Sequence, residues 1–167
     1  MSELRDTYVG RPTGAATVTI ERGPVTKFAE AIGNDDPVYR DLDAARAAGF
    51  ADIPVPPIHA FSAAQHWGAF PETQPPDPTD GSSPLAEIMG ELMAGGGMIL
   101  HGEQEFVYHQ AVVVGDVLTS TGTVTDVYAK TSSSGRTMPF IVTEDVYHNA
   151  EGEPVVTSRM NLIHRSA

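Results

Sequence analysis

Hydrophobic and polar residues alternate along the carboxyl-terminal half of the chain, from Met98 onward. Near the middle of this half, Phe140, Val142 and Val146 alternate with a second set that begins at Ile141. A period of two is typical of β-strands, and the Gly-, Ser- and Asn-containing segments between the runs are typical of turns. The pattern predicts four long antiparallel strands, at about 98–110, 116–130, 137–148 and 153–164.

The amino-terminal half has shorter elements. Residues 1–14 contain Gly and Pro at positions that break a regular period, so we expect an irregular entry arm. Residues 17–21 alternate and predict a first strand. The next apolar residues recur every three or four positions, which predicts an amphipathic helix. The residues on its apolar face are Val25, Phe28, Ala29 and Ile32.

Residues 41–48 predict a second short helix, with Asp41 as the N-cap and Gly49 just past its end. Residues 52–57 carry three prolines and predict an extended corner, because proline lacks the N–H that a sheet requires. Beyond this corner we expect a helix at 58–69, a surface loop at 71–84 and a helix at 85–94. The whole chain, 1–167, is predicted to be one domain, with 71–97 as a loop-and-helix insertion.

Composition narrows the class of protein. The chain has no cysteine, which excludes disulfides and cysteine-based zinc sites. It has no apolar run of about 18 residues, so we expect no membrane span and a cytoplasmic location. The formal net charge of −12 disfavours nucleic acid as a partner. The histidines lack the spacing of metal ligands, so we also expect no metal.

Residues 33–39 read Gly-Asn-Asp-Asp-Pro-Val-Tyr. This stretch resembles the hydratase motif Gly-Asp-x-Asn-Pro-Ile-His of the MaoC-like, R-specific enoyl-thioester hydratases and dehydratases. The chain is similar to the amino-terminal-half subgroup of that superfamily, which includes the A and C subunits of heteromeric (3R)-hydroxyacyl-ACP dehydratases. Other stretches that fit are Asp41, Ala44–Ala45, Gly49–Phe50, His101–Phe106 and Gly115–Leu118.

The resemblance implies an α+β hot-dog fold, in which an antiparallel sheet wraps around a central helix, over roughly residues 15–165. It also implies an acyl-thioester substrate on CoA or acyl carrier protein, no further cofactor, and association as a homo- or heterodimer. The chain departs from the motif at its two catalytic positions. Asn34 stands at the position of the catalytic Asp, and Tyr39 at that of the catalytic His.

Adding water to an enoyl thioester requires proton exchange at the α carbon and at the β oxygen, which an Asp and a His can share. Asn34 does not titrate, and the phenol of Tyr39 is a poor base, since phenols ordinarily titrate near pH 10. Three hypotheses stay open: a degenerate subunit of a heterodimer with a catalytic MaoC-like chain, an independent hydratase, and a non-catalytic acyl-thioester-binding homodimer. The independent hydratase would use Asp35 or Asp36 with His59 or His101.

The candidate catalytic positions are Asn34, Asp35, Asp36, Tyr39 and His59. Asp35 and Asp36 lie in a turn, where such side chains also cap their own backbone. His59 follows the proline corner, and its alternative role is to hold that corner in place.

The candidate substrate-binding residues are Pro57, Ile58, Ala60, Trp67 and His101. The backbone N–H of Ala60, at a helix start, is the candidate oxyanion donor. Trp67 is expected in the core or tunnel wall. His101 is open to a structural role or to a place at the dimer interface.

Overall fold

Five antiparallel strands form one sheet in the order β1-β3-β4-β5-β2. The computed structural model describes residues 1–59, 68–133 and 135–166. The strands are β1 (Pro12–Thr19), β2 (Met98–Tyr108), β3 (Val117–Thr131), β4 (Thr137–His148) and β5 (Pro154–Arg165). The helices are α1 (Ser2–Tyr8), α2 (Arg22–Ala31), α3 (Leu42–Ala47) and α4 (Pro84–Met93), with short 3-10 turns at Pro37–Tyr39 and Pro71–Thr73. The four long strands predicted from the alternation are confirmed.

β4 lies at the centre of the sheet and is buried on both faces. From Phe140 to Thr143 every side chain is buried, so both of the alternating sets predicted from the sequence are covered there. Ile141 belongs to one hydrophobic cluster with Ile88, and Tyr147 to a second with Val25. The core is thus divided between two clusters on the same strand.

The prediction of an irregular arm at 1–14 is wrong. Residues Ser2–Tyr8 form α1, and β1 begins at Pro12, five residues before the predicted start at residue 17. Tyr8 anchors the helix, because its ring is buried and its hydroxyl donates to Glu91 on α4 at 2.6 Å. Gly10 forms the turn between α1 and β1, with a φ of 89°, and donates its N–H to the carbonyl of Val124.

The outer edge of β1 is covered by the loop that follows the undescribed residues 60–67. Thr19 donates its N–H to the carbonyl of Gly68 at 2.9 Å. The amide side chain of Gln74 takes both backbone groups of Thr17, accepting from its N–H at 3.1 Å and donating to its carbonyl at 2.9 Å. Gln74 therefore replaces a neighbouring strand at this position, which protects an otherwise exposed edge.

The opposite edge, β2, pairs on one side with β5 and has no backbone partner on its other side within the described residues. Three apolar side chains on this strand, Met98, Leu100 and Val107, are exposed to 49%, 39% and 44%. The sheet thus has one covered edge and one open edge.

Helices α2 and α3 pack on the end of the sheet where the motif lies. Val25, Ala29 and Ala45 are fully buried, whereas Phe28 is half-buried and Ile32 is exposed, so the apolar face of α2 is narrower than predicted. The capping predictions for α3 are confirmed. Asp41 accepts from the N–H of Ala44 at 2.8 Å, and Gly49 has a φ of 94°.

Two backbone hydrogen bonds join the proline corner at 52–57 to residues 112–114. Val55 donates to Val112 at 3.0 Å and Val114 donates to Ile53 at 2.9 Å. The helix predicted at 85–94 is α4, which Ser83 caps. Of the helix predicted at 58–69, residues 60–67 lie outside the described residues. No described helix combines the length and the apolar character needed to cross a membrane.

Candidate active site

The motif segment begins where α2 stops. Gly33 has a φ of 69°, and Asn34 donates its N–H to the carbonyl of Ala29 at 2.9 Å. The side-chain oxygen of Asn34 accepts from the N–H of Asp36 at 3.0 Å. Asn34 is thus engaged in an Asx turn, which fixes the local backbone.

The acids of the motif have structural contacts of their own. Asp36 caps the 3-10 turn at Pro37–Tyr39 by accepting from the N–H of Val38 at 3.0 Å. The Asp35 side chain is 97% exposed and lies 3.6 Å from the guanidinium of Arg40. The capping role weighed for these two residues is therefore present in the structure at Asp36.

Arg40 ties the two ends of the motif segment together. Its Nη2 donates to the carbonyl of Asn34 at 2.6 Å, and its own carbonyl accepts from Arg22 on α2 at 3.1 Å. Thr26, one turn further along α2, donates its hydroxyl to the carbonyl of Tyr39 at 3.4 Å. These contacts hold the segment 34–40 against α2, and they fix the position from which Tyr39 projects.

A cavity of about 390 Å³ lies between this segment, the proline corner and the end of β2. Its apolar wall includes Val38, Phe50 and Val55, and its phenols are Tyr39 and Tyr108. Pro57 also lines it. Of the candidate residues, Tyr39 and Pro57 therefore face one cavity.

Tyr108 is a cavity residue that the sequence did not single out. It ends β2, and its hydroxyl donates a hydrogen bond to the carbonyl of Pro57. Burial, with a smaller effect of the nearby Tyr39, raises the pKa of Tyr108 to about 12. The phenol is therefore protonated at neutral pH and acts as a hydrogen-bond donor.

His59 is buried, with 1% of its surface exposed. Its ring meets the ring of Phe28 edge to face, with centroids 5.4 Å apart and an angle of 88° between the planes. Burial lowers the pKa of His59 to about 4. A histidine with this pKa is neutral at pH 7, so it lacks the proton that a general acid would need.

The remaining candidates are dispersed. Ile58 is exposed, and Ala60 and Trp67 lie outside the described residues. His101 is exposed on β2, seven residues before Tyr108, which places it roughly 24 Å away along the strand. Within the described ranges, no three His, Asp or Glu side chains are grouped as metal ligands.

Relatives and solved structures are similar to this chain over nearly its whole length. A "UPF0336 protein" of Streptomyces avermitilis is 33% identical over 98% of this chain and 97% of its own. One from Streptomyces griseus is 35% identical, with the same coverage. These relatives align from end to end, so the similarity is not confined to the motif.

The solved structures share the fold. The ChsH1-ChsH2 complex of Mycobacterium tuberculosis matches with a TM-score of 0.73 at 22% identity, over 99% of this chain and 88% of that one. The HadBC (3R-hydroxyacyl-ACP dehydratase) complex of Mycobacterium tuberculosis matches at 0.64 and 18%, over 92% and 96%. A MaoC-like dehydratase matches at 0.70 and 20%, over 97% of this chain and 43% of that one.

The sheet and its helices therefore have the hot-dog fold of the MaoC-like dehydratases, as the resemblance implied. The sequence model of the FAS1-like dehydratase domain region matches residues 7–158. That match spans most of the chain and includes the motif segment, the cavity and all but the end of the sheet. The chain belongs to the family of the FAS1-like dehydratase domain region.

Proposed function

We propose that this chain is a subunit of an acyl-thioester dehydratase or hydratase that acts on (3R)-hydroxyacyl and enoyl thioesters of CoA or acyl carrier protein. In this proposal its own motif does not transfer protons, and a catalytic MaoC-like chain pairs with it. The observation that carries the proposal is the use of Asn34 as a backbone-bound Asx residue where the family motif has an acid.

The polar groups at the cavity support the proposal that the partner chain, and not this chain, transfers the protons. Hydration needs a base near neutrality and an acid that returns the proton. The described titratable groups that line the cavity are two phenols and His109, whose ring is hydrogen-bonded to Thr157 at 2.9 Å. Phenols hold hydrogen bonds to a substrate, but they are weak bases at pH 7.

The contacts of the motif acids weigh against an independent hydratase. Asp36 accepts from the backbone of its own turn, and Asp35 is almost fully exposed beside Arg40. His59, the imidazole nearest to the motif in sequence, is neutral because burial holds its pKa at about 4. An Asp–His pair built from these residues would require the turn at 34–40 to rearrange.

The cavity supports a role in holding the acyl group. Its volume lies within the range of ligand pockets, which is roughly 300–1,000 Å³. Most of its wall is apolar, with Val38, Phe50 and Val55 among the lining residues. We therefore assign the acyl chain to this wall and the thioester oxygen to Tyr39, since the hydroxyl of Tyr108 already donates to Pro57. Proton transfer needs neither a metal nor an organic cofactor, so the proposal includes none.

The unequal edges of the sheet support a partner chain. Gln74 and Gly68 cover β1, whereas β2 is open and carries exposed apolar side chains. The ChsH1-ChsH2 and HadBC structures are complexes, and both share this fold. An open edge of 11 residues can accept a strand from a second hot-dog chain. We place the resulting complex in the cytoplasm.

The test is hydration of crotonyl-CoA by the purified chain, alone and mixed with a MaoC-like chain that retains the Asp and His of the motif. We expect no turnover by the chain alone and turnover by the mixture above that of the partner alone. Asp36→Asn should leave the mixture active. Turnover by the isolated chain that Asp36→Asn abolishes would establish the independent hydratase instead. Binding of acyl-CoA without any stimulation of a partner would establish the non-catalytic binder.

A further inference from the structure

Polar side chains cross the inner face of the sheet at the boundary between its two hydrophobic clusters. We call this set the polar seam; its members are Thr13, Gln104, Thr143, Asp145 and Ser158. The strand register places them together. Asp145 pairs with Ser158 on β5, and Thr143 pairs with Met160, which pairs in turn with Gln104. Directly paired residues share a face, so the seam lies on the face that carries Ile141 and Tyr147.

Within the described residues, two side-chain atoms of the polar seam are buried without a hydrogen-bond partner. Thr143 is 2% exposed, and its hydroxyl is one of them. The side-chain carbonyl of Gln104 is the other, although the amide of the same side chain donates to Ser158 at 2.7 Å. Buried polar atoms are nearly always paired, because leaving one unpaired costs free energy. Ordered water or a bound ligand ordinarily completes the bonds of such atoms.

The seam ends in a notch at Gly122. A Cβ at this position would overlap the hydroxyl of Thr13 and the carboxyl of Asp145, which both occupy the space above the glycine. Burial raises the pKa of Asp145, with a smaller contribution from Glu144. A hydrogen-bond donor that approaches along the face of the sheet stabilises the charged form of such a carboxyl.

The polar seam shares its face with the cavity. Tyr108 lines the cavity, and the register links it through Val156 to Tyr147 on the inner face. Gln104 lies four residues before Tyr108 on the same strand, so its side chain projects to the same side, about 14 Å further along.

We propose that the substrate's acyl chain runs from the cavity along this face, and that the polar seam binds a hydroxyl group carried near its far end. Gln104 offers an acceptor, Asp145 a carboxyl and Thr143 a hydroxyl that donates or accepts. A hydroxyl group satisfies both kinds of partner, a ketone accepts only, and a methylene does neither. This assignment rests on the proposed function, since it extends the acyl site of the same cavity.

The experiment compares three CoA thioesters of one chain length by calorimetric titration of the 167-residue chain: dodecanoyl, (ω−1)-oxododecanoyl and (ω−1)-hydroxydodecanoyl. We expect the hydroxy compound to bind between about 2-fold and 12-fold tighter than the unsubstituted one, the ratio given by one net hydrogen bond. The oxo compound should lie between them. Equal binding of all three overturns the hydroxyl site alone. Binding of none overturns the proposed acyl site and the hydroxyl site together.

Thr143→Val tests the residue itself, because valine keeps the shape and removes the hydroxyl. The variant should lose the preference for the hydroxy compound while it binds dodecanoyl-CoA as before. Thr121→Val, on the exposed side of the sheet, is the matched control and should keep the preference. The melting temperature of Thr143→Val without ligand should equal or exceed that of the wild type, since the hydroxyl has no protein partner. A lower melting temperature would show that ordered water completes the seam, which overturns the proposal.

Discussion

The hydroxyl of Tyr108 donates a hydrogen bond to the carbonyl oxygen of Pro57. This contact joins the last residue of β2 to the proline corner, and both residues line the cavity. It is the point at which the sheet fixes the segment that leads into residues 60–67. The phenol therefore adds a side-chain tie to the two backbone hydrogen bonds that hold the corner through Val55 and Val114.

Tyr108→Phe should lower the free energy of unfolding by about 1 kcal/mol, because the ring stays and one hydrogen bond is lost. The stimulation of a catalytic partner should fall as well, since the cavity wall loses its side-chain tie to Pro57. Urea denaturation and the hydration assay measure the two effects. Tyr128→Phe is the control, as its ring stacks on Phe140 at 4.9 Å and stays stacked without the hydroxyl. An equal loss in both variants would contradict a specific role of the Tyr108 contact.

Gly68→Ala should be strongly destabilising. Gly68 has a φ of 74°, and a Cβ there would overlap the carbonyl of Thr19, whose N–H bonds to Gly68. We expect a loss of at least about 2 kcal/mol, because strain and a backbone clash add together. The uncovered β1 edge should also promote aggregation, which light scattering would detect.

Gly90→Ala is the matched control for that variant. Gly90 lies within α4 with open space around its Cβ position. Alanine should stabilise the protein by about 0.5–1 kcal/mol, since glycine lowers helix stability. If Gly68→Ala and Gly90→Ala shifted the melting temperature alike, the close approach at Gly68 would be refuted.

The double variant Asn34→Asp, Tyr39→His should give the isolated chain measurable hydration of crotonyl-CoA. Aspartate keeps the oxygen that accepts from the N–H of Asp36, so the Asx turn should survive. The two new groups restore the acid and base that the family motif carries. Circular dichroism would confirm the fold, and Asn34→Asp alone should stay inactive. A folded but inactive double variant would show that more than these two positions separates the chain from an active hydratase.

His59 should make the protein less stable in mild acid. Its folded pKa of about 4 lies below the ordinary value of 6.5, so the unfolded chain takes up a proton first. Stability should therefore fall as the pH drops from about 6.5 towards 4, by on the order of 1–3 kcal/mol.

Denaturation of wild type and His59→Gln at several pH values isolates this effect, because the other titrating groups are common to both. The difference between the two proteins should change over this pH window and stay constant above it. A constant difference from pH 7 down to pH 4 would mean that His59 has the same pKa in the folded and the unfolded protein.

The sequence predicted those parts of the fold whose causes are local. Asp41 and Gly49 bound α3 through their own backbone geometry, and alternation along the chain is visible without the fold. The start of β1 at Pro12 was missed because its pairing with β3 is set by contacts more than a hundred residues away. The α1 helix was missed because Tyr8 is held by Glu91, again far along the chain.

The candidate site was predicted only where the motif itself carries it. Asn34, Asp36 and Tyr39 lie on one short segment, so their proximity follows from the sequence. Tyr108 reaches the same cavity from β2, and nothing in its neighbours distinguishes it from other alternating residues. His101 fitted the family pattern, yet seven residues of extended strand separate it from Tyr108. Long-range contacts bring Tyr108 to the cavity, whereas the length of one strand separates His101 from it.

The amide of Gln74 on Thr17 limits how copies of this molecule can join. A sheet with two bare sides can add neighbours without end and grow into a fibre. In this protein the free side of β1 is already hydrogen-bonded to the chain's own Gln74. Two molecules that pair through β2 therefore occupy the remaining open strand of each. Such an assembly closes at two and does not propagate.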